Sequence, residues 1–145
     1  MTTPPDRGGN TARQPEISFP AHRGVFVPDN VHTSQSGVGV HWSASKITAE
    51  SMASYAHALH PRVGVTGHHV IHHGNIPISS VEDNVATLKA NGVFDQRNLN
   101  NNSEKEIPVK KGAPVFISSR TKSRESNGIW KTRERTYNPP REVKA

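Results

Sequence analysis

Two glutamates separated by one residue, Glu104-Lys105-Glu106, lead into the strand-like run Ile107 to Val109. Residues two apart on a strand share a face, roughly 6.6 Å from each other. Carboxylates paired in this way can divide labour, one stabilising positive charge while the other takes a proton or positions a cation. Arg23-Gly24 opens a second strand-like run. There the arginine suits a phosphate, and the glycine lets a ligand approach the backbone. Ser43-Ala44-Ser45 follows His41-Trp42 and precedes a helical pattern, so Ser45 reads as an N-cap. Each feature alone also has an ordinary reading: a solvated strand end, an exposed Arg beside a turn Gly, a helix cap. The nine histidines, dense in His68-His69-Val70-Ile71-His72-His73, invite a metal reading. Strand alternation puts His69 and Ile71 on one face and His68, Val70 and His72 on the other. Histidines four apart on a strand are about 13 Å apart, too far to share one zinc ion, so no metal is expected.

The elements that must position these residues follow from local pattern. Arg23 to Val27 suits a short strand ended by Pro28-Asp29-Asn30, and Val38 to Trp42 suits a second. Lys46 to Leu59 is the clearest helix, with an apolar stripe at Ala49, Met52, Ala53, Ala56 and Leu59 and a stop at Pro61. Val63 to Ile78 reads as extended chain. Ser79-Ser80-Val81-Glu82 has the form of a capping box, which predicts a second helix with Val81, Val85 and Leu88 on its apolar face and Gly92 at its end. Val93 to Ser103 is a long polar loop. Pro114 to Arg124 and Ile129 to Tyr137 are predicted to pair as a hairpin closed by Asn127-Gly128, with Pro139-Pro140 ending regular structure. The fold class expected is α+β: a compact, mixed, mostly antiparallel β core with two short helices.

Composition bounds the rest. The 145 residues fit one compact domain, expected over 19–137, with a disordered leader at 1–18 and a tail at 138–145. The apolar fraction is 32%, which predicts a modest core. There is no cysteine, hence no disulfide and no thiol nucleophile. No apolar run is long enough to span a membrane and none resembles a secretion signal, so a cytoplasmic location without membrane partners is expected. The net charge of +6 is concentrated late: Ser118 to Ala145 carries eight Lys/Arg against three Asp/Glu. A basic segment of this kind reads either as a solvated hairpin or as an attractor of nucleic acid or acidic protein.

Arg-Gly on a first strand, aromatic-Ser-x-Ser before a helix, and Glu-x-Glu opening a late strand occur here in that order. The order resembles the arginine, serine, glutamate branch of the mono-ADP-ribosyltransferases. E-K-E-I-P-V-K-K-G-A-P-V-F-I has the shape of that family's Glu-x-Glu strand and turn, and G-V-G-V-H-W-S-A-S-K-I-T-A-E-S-M-A is similar to its strand-to-helix passage. Ala44 stands where the family usually has Thr. The resemblance covers Arg23 to Ile117 and extends to small transferase domains encoded by phages of actinobacteria, including the ending N-P-P-R-E-V-K-A.

The resemblance implies an ADP-ribosyltransferase-like fold and NAD as substrate. It implies transfer of ADP-ribose to an acceptor, with nicotinamide release. Glu106 would stabilise the cationic ribose and hold a ribose hydroxyl, while Ser43 would orient Glu106. Arg23 would hold the NAD phosphates, Gly24 would offer its backbone to the nicotinamide amide, and Trp42 and Ser45 would complete the cofactor-binding set. Glu104 would receive the acceptor, an arginine of a host protein, a nucleic-acid-associated one among the candidates, in the host cytoplasm if the chain is phage-encoded. Two other readings stay open. One is a basic nucleic-acid-binding module without catalysis, resting on Trp130 and Tyr137 among Lys131, Arg133 and Arg135. The other is a degenerate transferase fold acting as a binding protein.

Overall fold

A computed structural model of the chain describes residues 16–29, 38–82 and 105–145. Its frame is a six-stranded antiparallel sheet: β1 (Ser18–Pro28), β2 (His41–Ser43), β3 (Gly67–Pro77), β4 (Glu106–Pro108), β5 (Pro114–Ser126) and β6 (Ile129–Lys144), in the spatial order β4-β2-β1-β3-β5-β6. One helix, α1 (Lys46–Ala58), and one 3₁₀ turn, Ile78–Ser80, complete the described elements. The α+β class and the mostly antiparallel core are as expected.

The two faces of the sheet are covered differently. On one face Phe19, Ala21, Trp42, Ile76, Ile107, Val115 and Ile117 form the main core, joined by Val81, Val109 and Ala145. The sheet rolls over this core. The Val38 amide donates to the Lys144 carbonyl at 2.8 Å, so the end of edge strand β6 meets the segment leading into β2. On the other face α1 lies across β1 and β3, burying Ala49 and Ala53 against Ile71. A Cβ at Gly24 would run into the Ala49 carbonyl and the Ala53 amide, so a residue without a side chain is what lets the helix backbone sit on the strand.

Several local expectations hold. Ser45 caps α1, its hydroxyl accepting from the Thr48 amide at 3.2 Å. Asn127 and Gly128 both have positive φ (54° and 80°), as a type I′ hairpin requires. The histidine run alternates faces, with Arg23 opposite His72 and Gly24 opposite Ile71 across β1 and β3.

Others are corrected. No helix starts at Ser79. Ile78–Ser80 is a single 3₁₀ turn, and Val81 is extended and bridges Val109. The amides that a capping box would have paired are engaged elsewhere: that of Ser79 donates to the Glu16 carboxylate and that of Glu82 to the Pro108 carbonyl, while the Ser80 hydroxyl between them donates to the Pro114 carbonyl. Val85, Leu88 and Gly92 lie outside the described residues. Order begins before residue 19, because the Ile17 carbonyl accepts from Ile78 and β1 starts at Ser18. Residues 138–144, expected as tail, continue β6 through a cis Asn138–Pro139 bond. Proline is tolerated there because residues 137–140 fall where the β5–β6 register shifts, between the pairs Ser119–Thr136 and Ile117–Arg141, on an edge strand. The helix stripe also turns: Ala56 and Leu59 are exposed, and the inward position of the last turn belongs to His57.

Two glycine substitutions separate close approach from backbone strain. Gly24→Ala is expected to lower the melting temperature steeply, because rigid backbone occupies the needed space. Gly128→Val meets open space and should cost only the left-handed backbone penalty, about 1–2 kcal/mol. Thermal melts by circular dichroism check the order. A Gly24→Ala protein melting like the parent would show that α1 does not sit on β1.

Candidate active site

β2 lies between β1 and β4, and its ladders gather the residues singled out in the sequence. Ser43 is directly opposite Glu106 across β2 and β4, and opposite His22 across β2 and β1. Facing residues in an antiparallel ladder share a face, so His22, Ser43 and Glu106 form one row. Arg23 follows His22 on the same strand, so its side chain starts from the other face, the one it shares with His72. Ser43 and Glu106, 63 positions apart, thus come together with His22 at one level of the sheet, while Arg23 stands at that level on the opposite face.

Arg23 reaches across to the chain entering β2. Its Nε donates to the Val38 carbonyl and its NH1 to the His41 carbonyl, both at 2.7 Å. The guanidinium occupies the space a side chain at Gly39 would need. Burial pushes its pKa below the usual arginine value.

Ser43 is buried, and its hydroxyl accepts from the Ser45 amide at 2.9 Å, which fixes the turn from β2 into α1. Glu106 is half-exposed, with Oε2 3.0 Å from His41 Nδ1. His41 carries no role in the sequence pattern; only the β2–β4 register reveals it beside the carboxylate. Trp42 faces the main core at 1% exposure and donates its indole N–H to the Gly39 carbonyl. Its side chain therefore builds the fold rather than a ligand wall. Ser45 acts as the helix cap.

Lys105 has φ 49°, in the left-handed region, and β4 starts only at Glu106, so the chain kinks as it enters the strand. Non-glycine residues held there are strained by about 1–3 kcal/mol and concentrate at functional sites. Lys105 is also buried, and its carbonyl accepts from the Ala44 amide at 2.9 Å, tying this kink to the serine turn. Nothing in the residue types signals a buried, left-handed lysine. Glu104 itself lies outside the described residues.

Histidines line the helix-covered face. His22 Nδ1 and His73 Nδ1 are 2.9 Å apart, and His73 Nε2 is 2.9 Å from the Thr121 hydroxyl. His57 sits between His69 and the Val65 carbonyl, at 2.8 Å from each, and stacks on Phe26. Burial, then His73 and Lys46, pushes the His22 pKa down to about 4. On the opposite face burial, then Arg120 and Arg23, pushes His72 down to about 3. Among the described residues no three His, Asp or Glu side chains converge as metal ligands, and no helix is long and apolar enough to cross a membrane. Shallow concavities lie on α1 and its C-terminal turn, lined by residues such as Ile47, Tyr55, His57 and Val65, away from Ser43 and Glu106.

No protein-family model matches the chain, and no curated protein or solved structure is significantly similar to it.

The histidines set a pH dependence. His22, His68, His69, His72 and His73 all have folded pKa values below their ordinary value of 6.5, burial being the largest cause in each. The unfolded chain binds more protons below that value, so stability is full above about pH 6.5 and is lost as pH falls towards the folded values. The melting temperature should be flat from mildly alkaline pH down to neutrality. It should then fall steadily between about pH 6.5 and 4. A flat profile down to pH 4 would mean that these imidazoles charge freely in the folded protein.

Proposed function

We propose that the chain is an NAD-dependent mono-ADP-ribosyltransferase acting on arginine. The observation that carries this reading is the ladder register that sets Ser43 opposite Glu106. A glycosyl donor that loses nicotinamide passes through a cationic ribose, and a fixed carboxylate beside the anomeric carbon stabilises that charge. Glu106 has the attributes of such a group: it is half-exposed, attached to an ordered strand, and contacted by His41 at 3.0 Å. Ser43 orients the Glu106 strand through the shared row. Arg23 stands on the opposite face of the sheet with its Nε and NH1 used on backbone carbonyls, so it offers the diphosphate positive charge from behind the strands rather than a direct contact beside Glu106.

In the proposed reaction the bond from the ribose anomeric carbon to the nicotinamide nitrogen breaks, and its electron pair leaves with nicotinamide. The acceptor guanidine nitrogen forms the new bond to that carbon and gives up a proton, which Glu104 accepts. Two earlier assignments weaken. The absence of a side chain at Gly24 is accounted for by α1, and Trp42 is committed to the core.

The test is nicotinamide release from NAD, with and without an arginine analogue as acceptor. Glu106→Gln should lower both hydrolysis and transfer by about 10²–10³, the loss of one group aimed at developing charge. Glu104→Gln should spare slow hydrolysis and depress arginine modification. Glu106→Gln should melt like the parent, since a surface Glu→Gln change normally stays within about 0.5 kcal/mol, and a parent-like melt of Glu104→Gln is the control that its loss is not one of folding. Full activity in Glu106→Gln would remove the transferase reading.

A further inference from the structure

The far half of the β5–β6 hairpin carries a charge pattern that the transferase reading leaves unused. Along β5 the order is Arg120, Thr121, Lys122, Ser123, Arg124, Glu125; along β6 it is Lys131, Thr132, Arg133, Glu134, Arg135, Thr136. The register pairs Arg120 with Arg135, Lys122 with Arg133 and Arg124 with Lys131. All six cations therefore stand on one face, and Glu125 and Glu134 stand on the other with the hydroxyls.

The face is set by a bulge. Between β3 and β5 the register shifts, with Gly74 opposite Ile117 but His73 opposite Ser119. One inserted residue moves every later side chain to the other face. The cations of β5 thereby continue the face of Val115 and Ile117 instead of opposing it. Bulges of this kind re-aim side chains and are built features rather than defects.

Like charges directly opposite each other on a ladder are destabilising, and here three such pairs follow in succession. Asp29 takes up one cation, bonding both Arg124 nitrogens. Arg120 is tied to His72 Nδ1 at 3.2 Å and lies over the Tyr137 ring, as does Arg135. Lys122, Lys131, Arg133 and Arg135 are exposed and form no ion pair among the described residues. Charge placed on an edge strand guards against sheet-to-sheet pairing, which accounts for β6 but not for the interior strand β5. Solubility is served by mixed signs, whereas here the signs are segregated by face.

We propose that this face binds the phosphate backbone of a nucleic-acid duplex without sequence preference. A duplex presents the densest regular row of negative charge, and Lys/Arg contacts to it need no base recognition. Single strands are held largely by stacking on exposed aromatics. The one aromatic on this face, Tyr137, is half-buried beneath two guanidinium groups. An acidic protein partner would call for an apolar centre with anchoring side chains, and the exposed part of this ladder is cationic throughout.

The experiment is fluorescence anisotropy of the full chain with a short mixed-sequence DNA duplex, between about 50 and 200 mM salt. With four cations each engaging one phosphate, the slope of log affinity against log salt should be about −3.6, from about −0.9 per phosphate. K122Q/K131Q/R133Q/R135Q should flatten that slope towards zero. K46Q/R62Q/K110Q/K111Q, an equal loss of charge away from this face, should keep the parent's affinity and slope. Glu106→Gln should bind the duplex like the parent, so binding and the transferase reading stand or fall separately. The ladder variant should also melt at or above the parent's temperature in low salt, because it loses three repulsive pairs.

Absence of duplex binding by the parent at low salt would overturn the proposal. Equal loss in the two charge variants would reduce it to net charge alone. Tighter binding of the single strand, or displacement of the duplex by polyglutamate at equal charge, would assign the face to a different partner and overturn it as well. A lower melting temperature for the ladder variant would make these cations structural.

Discussion

One half-buried cation ties the short strand β2 into the sheet. β2 is three residues long, yet it joins β1 to β4 and carries both Trp42 and Ser43. A strand that short contributes few ladder bonds of its own. Arg23 supplements them by donating to the carbonyls of Val38 and His41, on the chain entering the strand and at its first residue. Hydrogen bonds from a charged donor contribute about 1.5–3 kcal/mol each, and they offset the cost of burying a guanidinium that would otherwise lack partners. Trp42 adds its indole bond to the Gly39 carbonyl and fills the core beneath. With β2 fixed, β4 can pair along all three of its residues, and Glu106 gains a defined place opposite Ser43. Any role of Arg23 towards a ligand is therefore added to a structural one.

The same strands perform different work at their two ends, and a single inserted residue in β5 divides the halves. Before Ser118, Val115 and Ile117 face the core, where Val143 packs against them from β6. After it, the positions facing the same way are Arg120, Lys122 and Arg124. Without the bulge the hydroxyls of Thr121 and Ser123 would continue the core face, and the cations would stand beneath α1 among the histidines of β3. The Ser118 hydroxyl donates to the His73 carbonyl at 3.2 Å, adding a bond where the ladder shifts register.

The sequence disclosed what depends on near neighbours and concealed what depends on distant ones. The α1 cap at Ser45 and the Asn127-Gly128 turn were legible because each is decided by a few adjacent residues and a backbone preference. The helix misread at Ser79 failed through competition. Glu16 and Pro108, far away in the chain, claim the amides that the capping box would have used. Pro139-Pro140 looked like an end because proline interrupts a ladder, but an edge strand has a side where no ladder is needed. In the candidate site, Ser43 and Glu106 were legible by type and order. Their pairing with His41 and the left-handed kink at Lys105 were not, because register and φ are set by the whole sheet.

One row of side chains crosses the sheet behind the candidate site, from β1 to the cationic hairpin. Arg23 faces His72, His72 faces Arg120, and Arg120 faces Arg135. Three guanidinium groups and one imidazole share this row without a carboxylate between them. The arrangement is tolerable only if the imidazole stays neutral. Its Nδ1 must accept the proton that Arg120 offers, and a charged ring would face a guanidinium on each neighbouring strand. Burial enforces that state, then Arg120 and Arg23, and together they hold the His72 pKa at about 3. His72 therefore acts as a neutral acceptor between cations. It lets Arg23 stay committed to β2 while Arg120 leans over Tyr137 on the hairpin, so the sheet carries positive charge on the strands either side of β3 without an ion pair between them.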